Sequence, residues 1–251
     1  MKKLFTIAAI SDLHLEKYSI NDSYFNGIEE RADALLIGGD MNNGKKEETE
    51  HFLKIISEIK IPILMVFGNH ECDNRSLAEI KKQILVENNM IKILDGSYQK
   101  FDFNGKTLIV SGTKGYGGGF SPYNIINKGE KTVKEFFKEE IREVDKLKKV
   151  FEKINKLKFD FHVVLTHWAP FEETIKGEPK ELYMVLGSSR MGDVIESQKP
   201  DLALSGHSHR GSMGIKKARR KQVSTCNISY DVNNRKICFF EFYPGKIKLR
   251  Y

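Results

Sequence analysis

Residues 5–14 read Phe5-Thr6-Ile7-Ala8-Ala9-Ile10 and then Ser11-Asp12-Leu13-His14, an unbroken apolar run that ends in a carboxylate and an imidazole. The run does not alternate between apolar and polar, so it fits a strand covered on both faces rather than one with a wet side. Met1-Lys2-Lys3 before it imitates the start of a secretory leader. However, the apolar stretch from Leu4 is only seven residues and no small-x-small cleavage site follows, so the expectation is a first β-strand of a soluble protein.

The same pattern recurs four times. Residues 34–37, 61–67, 161–166 and 202–204 are short apolar runs, and each is followed by side chains able to bind metal. Asp40 follows the second, Asn69 and His70 the third, His167 the fourth, and His207 and His209 the fifth. Five of the seven histidines therefore lie just past predicted strands, leaving His51 on a predicted helix surface and His162 at a predicted strand edge, where neither needs a function. Helical spacing at 45–59 and 76–89, the second opening on a Ser76/Glu79 capping box, puts helices between strands and predicts an α/β sheet. In such sheets ligands gather beyond the carboxyl ends of the strands, so the five ends are expected to converge.

The middle of the chain departs from this rhythm. Asn104-Gly105 between 98–103 and 106–111 predicts a tight hairpin. Residues 112–129 carry Gly115, Gly117, Gly118 and Gly119 around Tyr116, Phe120 and Tyr123, a composition that suits a mobile loop and a possible lid. Residues 130–158 keep one apolar stripe at helical spacing and predict a long helix of roughly 43 Å. Runs at 223–230, 237–242 and 247–251, broken by turn residues, suggest a terminal meander. With no repeat and no linker, residues 1–251 are expected to form a single domain.

Composition limits the partners. The 251 residues hold 41 Lys+Arg against 34 Asp+Glu, a net charge of +7. Five of those positives fall at Lys216, Lys217, Arg219, Arg220 and Lys221, and +7 less those five leaves +2 for the rest. The excess is local, so a general affinity for nucleic acid is not implied, although Lys216–Lys221 keeps a polynucleotide partner open. Three cysteines at unrelated spacings give no disulfide framework, which favours a reducing cytoplasmic setting, and no stretch is long enough for a membrane span.

Imidazoles with carboxylates and one amide oxygen suit Mn²⁺, Fe²⁺ or Zn²⁺ better than Mg²⁺ or Ca²⁺. Eight donors, five imidazoles with two carboxylates and one amide, over-supply one ion and point to two. With Asp12 and Asp40 charged, histidines neutral and a bridging hydroxide, two divalent ions leave a net charge of about +1, which suits a phosphoester.

Asp12-Leu13-His14, Gly39-Asp40, Gly68-Asn69-His70-Glu71, His167 and Gly206-His207-Ser208-His209, in that order, resemble the calcineurin-like metallophosphoesterases. The resemblance implies a four-layer αββα sandwich of two mixed β-sheets flanked by helices. It implies that Asp12, His14, Asp40 and His209 hold one ion and Asp40, Asn69, His167 and His207 the other. In that pattern His70 is not a ligand; it protonates the leaving group or steadies the transition state, and a metal-bridging hydroxide attacks phosphorus. Met41-Asn42-Asn43-Gly44 replaces the Asp-Arg-Gly of the protein phosphatases, so the match is nearer to small bacterial and archaeal members acting on phosphate mono- or diesters. Two alternatives stand beside this: a nuclease or cyclic-nucleotide phosphodiesterase, and a non-catalytic interaction module on the same fold. Glu71 is expected to be either a support for His70 or a helix-end charge, Cys72 a packing residue, Arg210 a phosphate contact or surface ion pair, and Trp168 a pocket wall.

Overall fold

The computed structural model describes residues 2–88, 90–218 and 222–251. In chain order the elements are β1 (Phe5–Ile10), β2 (Ala34–Ile37), α1 (Lys46–Ile55), β3 (Ile63–Met65), α2 (Leu77–Glu87), β4 (Ile91–Ile93), β5 (Ser97–Phe103), β6 (Lys106–Thr113), α3 (Lys131–Ile154), β7 (Phe161–Thr166), α4 (Tyr183–Leu186), α5 (Ser189–Gln198), β8 (Leu202–Ser205), β9 (Lys216–Lys217), β10 (Ser224–Asn227), β11 (Cys238–Tyr243) and β12 (Lys246–Arg250). They build two six-stranded sheets, ordered β12-β11-β1-β2-β3-β4 and β5-β6-β7-β8-β10-β9. Each is mixed: β1 to β4 are mutually parallel, β11 pairs antiparallel with β1 and β12 antiparallel with β11, while β6, β7, β8 and β10 are parallel between antiparallel edges β5 and β9.

The unbroken apolar runs are explained by two-sided burial. In β1, Ile7 and Ala9 face the core between the sheets while Ala8 and Ile10 face the layer that holds Phe52 of α1 and Ile80 of α2. In β7, Val163 and Leu165 enter the inter-sheet core while Val164 packs with Leu147 and Phe151 of α3 and Ile195 of α5. The result is the expected αββα order of layers.

The Asn104-Gly105 hairpin forms with both residues at positive φ (51° and 74°), the geometry a two-residue connection of right-twisted strands demands. Ser76 closes its capping box with Glu79, and α2 ends at Glu87; Asn89, in the expected helix, lies outside the described residues. The long helix is shorter than expected at 24 residues, about 36 Å, because residues 155–158 turn away after the C-cap.

One expectation is corrected. The C-terminal runs do not form one meander: β10 pairs with β8 in the second sheet, and β11 and β12 pair beside β1 in the first. The glycines at 115–119 serve close packing. Glu143 of α3 accepts from Gly115 N at 3.1 Å. A Cβ on Gly118 would run into the buried Glu140 carboxylate. Two acids of α3 thus lie directly against this glycine-rich stretch.

Candidate metal centre

All five strand ends point the same way, and the loops beyond them interlock through backbone hydrogen bonds. Asp12 N donates to Gly39 O at 3.0 Å and His14 N to Asp40 O at 3.2 Å, tying the β1 loop to the β2 loop. Asp12, His14, Asp40 and His207 all adopt positive φ, between 41° and 68°, a region that costs a non-glycine residue energy and is kept where surrounding contacts over-determine it. The motif glycines are required by close approach. A Cβ on Gly206 would run into Ser11 Oγ and lie 2.5 Å from Asp12 Oδ2, and one on Gly68 would run into Asp40 Oδ1.

Two clusters of donor atoms result. In the first, His14 Nε2 and His209 Nε2 face one another at 3.3 Å, with Asp12 Oδ1 3.8 Å from His209 Nε2. The outer nitrogens are engaged: His14 Nδ1 donates to Glu16 Oε1 at 3.1 Å and His209 Nδ1 to Asp231 Oδ2 at 2.8 Å. Those acceptors carry no hydrogen, so they place the ring hydrogens on Nδ1 and leave two bare Nε2 lone pairs opposed. In the second, His167 Nδ1 donates to Gly38 O at 2.8 Å and His207 Nε2 to Val185 O at 3.0 Å. His167 Nε2 then meets His207 Nδ1 at 3.1 Å, Asn69 Oδ1 at 3.0 Å and Asp40 Oδ2 at 3.2 Å. Asp40 Oδ2 is buried and lacks a hydrogen-bond partner. Lone pairs gathered this closely repel unless a positive charge lies among them, and the donor types suit a borderline divalent ion.

Electrostatics agree with that demand. Burial pushes the Asp40 carboxyl up, but the facing His167 imidazole outweighs it and holds the group well below the usual carboxylate range. Burial disfavours a charged His167, yet the facing Asp40 and Asp12 carboxylates raise it to about 9, so negative charge at this point favours a positive partner. His207 is lowered to about 4 by burial and by His167, and His14 is lowered by burial. Cation uptake at these atoms therefore competes with protons.

His70 joins the same space. Its N–H donates to Asp40 Oδ1 at 2.9 Å, its Nε2 lies 3.9 Å from Asp40 Oδ2, and its Nδ1 is 2.8 Å from Asp73 Oδ2. Asp12, His14 and His209, then Asp40, His167 and His207, and also His14, Asp40 and His70 form triads with ligand atoms within 4.8 Å of each other. The side chain of His70 is 39% exposed where that of His167 is fully covered, so His70 is the more open of the two to solvent.

Glu71 was not recognisable for what it does. It is 1% exposed and accepts from Asp40 N (3.0 Å), Met41 N (2.7 Å) and Gly68 N (2.6 Å), locking the β2 and β3 loops together around Asp40. Burial and the neighbouring Asp40 charge push its carboxyl up to about 7, against the opposing pull of the Met41 and Gly68 N–H groups. Asp231 and Ser229, which reach His209 and Asp12, were likewise missed; no motif surrounds them in sequence.

The remaining candidates separate clearly. Trp168 lies against the His207 ring at 4.1 Å between centroids and walls the site, with Tyr116 behind it at 5.3 Å. Phe120 is buried among Ala169, Ile175 and Leu186, and Tyr123 is 85% exposed. Cys72 is free and exposed. Arg210 N donates to Glu178 Oε1 at 2.6 Å. His51 faces Asp22 on the surface. His162 is no strand-edge residue: it is 2% exposed among Phe151 and Phe159, with Nε2 2.8 Å from Ser111 Oγ. Of the basic run, Lys216 and Lys217 form the edge strand β9, while Arg219, Arg220 and Lys221 lie outside the described residues. Among the described residues no helix is long and apolar enough to cross a membrane.

Comparison with known proteins places this geometry. A family model described as calcineurin-like phosphoesterase matches residues 5–211. A curated relative, the glycerophosphodiester phosphodiesterase GpdQ of Enterobacter lignolyticus (strain SCF1), is 36% identical over 50 residues, which is 20% of this chain and 18% of that protein. The crystal structure of TT1561 of Thermus thermophilus superposes with a TM-score of 0.61 at 17% identity, covering 98% of both chains. A putative 5'-nucleotidase from Staphylococcus aureus gives 0.58 at 14% identity, covering 98% of this chain and 52% of its own. At such identities the structural likenesses establish the fold alone.

Proposed function

The chain belongs to the calcineurin-like phosphoesterase family, and from that premise we propose that it is a metal-dependent phosphoester hydrolase with a two-cation centre. The observation that carries the reading is the pair of donor clusters joined at Asp40, each holding opposed lone pairs that only positive charge can reconcile. Asp12, His14, Asp40 and His209 would hold one ion and Asp40, Asn69, His167 and His207 the other, the donor set favouring Mn²⁺, Fe²⁺ or Zn²⁺. Two divalent ions held there would supply Lewis acidity toward the phosphoryl oxygens and make water acidic enough to serve as the nucleophile near neutral pH.

The chain's own residues do the rest. Asp40, fixed by Glu71 through the backbone, keeps the two halves in register. His70 faces the same space with Asp73 accepting from its Nδ1; in the imidazolium form it carries a second hydrogen on Nε2, which passes to the departing oxygen and leaves the neutral ring with its hydrogen on Nδ1. Trp168 covers one face of His207 and limits water on that side. The substrate class is a small phosphate mono- or diester; the phosphodiester side is favoured by the short stretch shared with a glycerophosphodiester phosphodiesterase. Three free cysteines, two of them buried, suit a reducing compartment.

His70→Ala tests the assignment. With bound metal unchanged, turnover of an alkyl phosphodiester should fall about 10²–10⁴-fold and that of an aryl diester, whose leaving group needs no proton, much less. Equal loss on both substrates, or none on the alkyl ester, rejects the proton-donor role.

A further inference from the structure

The family match ends at residue 211, yet one donor cluster is held from beyond it. After β10 the chain crosses from the second sheet to β11 in the first, and it does so against the carboxyl end of β1. Ser11 N donates to Ile228 O at 3.1 Å and Tyr230 N to Ser11 O at 2.9 Å. This crossing delivers Ser229 Oγ to Asp12 Oδ2 at 2.6 Å and Asp231 Oδ2 to His209 Nδ1 at 2.8 Å. The Tyr18 hydroxyl donates to Asp231 from 2.9 Å, equidistant from both carboxylate oxygens. Asn233 Nδ2 braces the turn by donating to Asn227 O and Ser229 O, each at 2.9 Å.

The other cluster is supported differently. His167 and His207 donate to peptide carbonyls, of Gly38 and Val185, whereas His14 and His209 donate to the carboxylates of Glu16 and Asp231. A carboxylate behind an imidazole fixes its orientation, strengthens it as a donor and adds negative charge.

We propose that Asp231, oriented by Tyr18 and carried in with Ser229, is a positioning residue that sets the cation affinity of the Asp12–His14–His209 cluster separately from that of the cluster around His167. The inference rests on the two-cation reading above and adds to it a determinant outside the matched family region.

The full chain, stripped of metal and titrated with Mn²⁺ alone against a competing chelator, provides the test, with metal content measured after desalting. The parent should bind two ions. Asp231→Ala should weaken one of them about 10–100-fold and leave the other within about twofold. Asp231→Asn, which keeps an acceptor for His209 and removes only the charge, should recover part of the loss. That variant also carries the test if the alanine form does not fold by circular dichroism. Unchanged affinities in both variants, or equal weakening of both ions, overturn the proposal while leaving the two-cation reading in place. A parent that binds fewer than two ions overturns both.

Discussion

Removing the Glu71 carboxylate should damage the centre from beneath without touching a proposed ligand. Its two oxygens accept three backbone N–H groups, from Asp40, Met41 and Gly68, in a site 1% exposed. A buried donor left unpaired costs about 1–3 kcal/mol, so Glu71→Ala exposes the fold to a loss of about 3–9 kcal/mol, less whatever water regains in the vacated space. Against a total stability of about 5–15 kcal/mol that is enough to unfold much of the population. Glu71→Gln is the sharper experiment. Its carbonyl can replace Oε2, which serves Asp40 and Gly68, while its amide must face Met41 N–H; one donor is orphaned and the expected loss is about 1–3 kcal/mol. Urea unfolding of the metal-free protein measures it. The same variant should bind Mn²⁺ more weakly, since the β2 loop that presents Asp40 has lost its anchor at Met41. A glutamine variant with the parent's urea midpoint and metal affinity would refute the argument that this carboxylate organises the loops.

Two further predictions address other parts of the chain. His162 is lowered to about 4 by burial from its ordinary 6.5, so the unfolded chain takes up a proton between those values that the folded chain refuses. Stability should be fully present above pH 6.5 and fall by about 3 kcal/mol toward pH 4; the unfolding free energy of His162→Gln should lose that part of the pH dependence, and parallel curves for the two proteins would count against it. Gly206→Ala drives a Cβ into Ser11 Oγ and to 2.5 Å from Asp12 Oδ2, so it should cost about 1–3 kcal/mol and displace Asp12. Retention of parental metal affinity in that variant would show that the close approach is dispensable.

Most of what positions the centre was legible because the donors are contiguous with the strands that carry them. An apolar run ending in Asp12 and His14, or in His167, announces both a strand buried on two faces and a residue at its carboxyl end. The supports were not legible, because their meaning depends on partners far away in the chain. Asp231 and His209 are 22 residues apart and Ser229 and Asp12 are 217 apart, so local pattern says nothing of either pairing. The terminal runs mislead for a related reason. Turn residues show that strands are separate but not which sheet each one joins, and the switch of sheets between β10 and β11 is what brings Ser229 and Asp231 to the site. At 115–119 glycine content is ambiguous, because the close approach of Gly118 to Glu140 and the positive φ of Gly115 and Gly119 call for the same residue that mobility does.

Anomalous diffraction from crystals of the full chain grown with Mn²⁺ tests the central claim most directly. The account predicts two peaks roughly 3.5–4 Å apart, flanking Asp40, one beside His14 and His209 and the other beside His167 and His207. One peak at saturating Mn²⁺, or two that do not share Asp40, would contradict it.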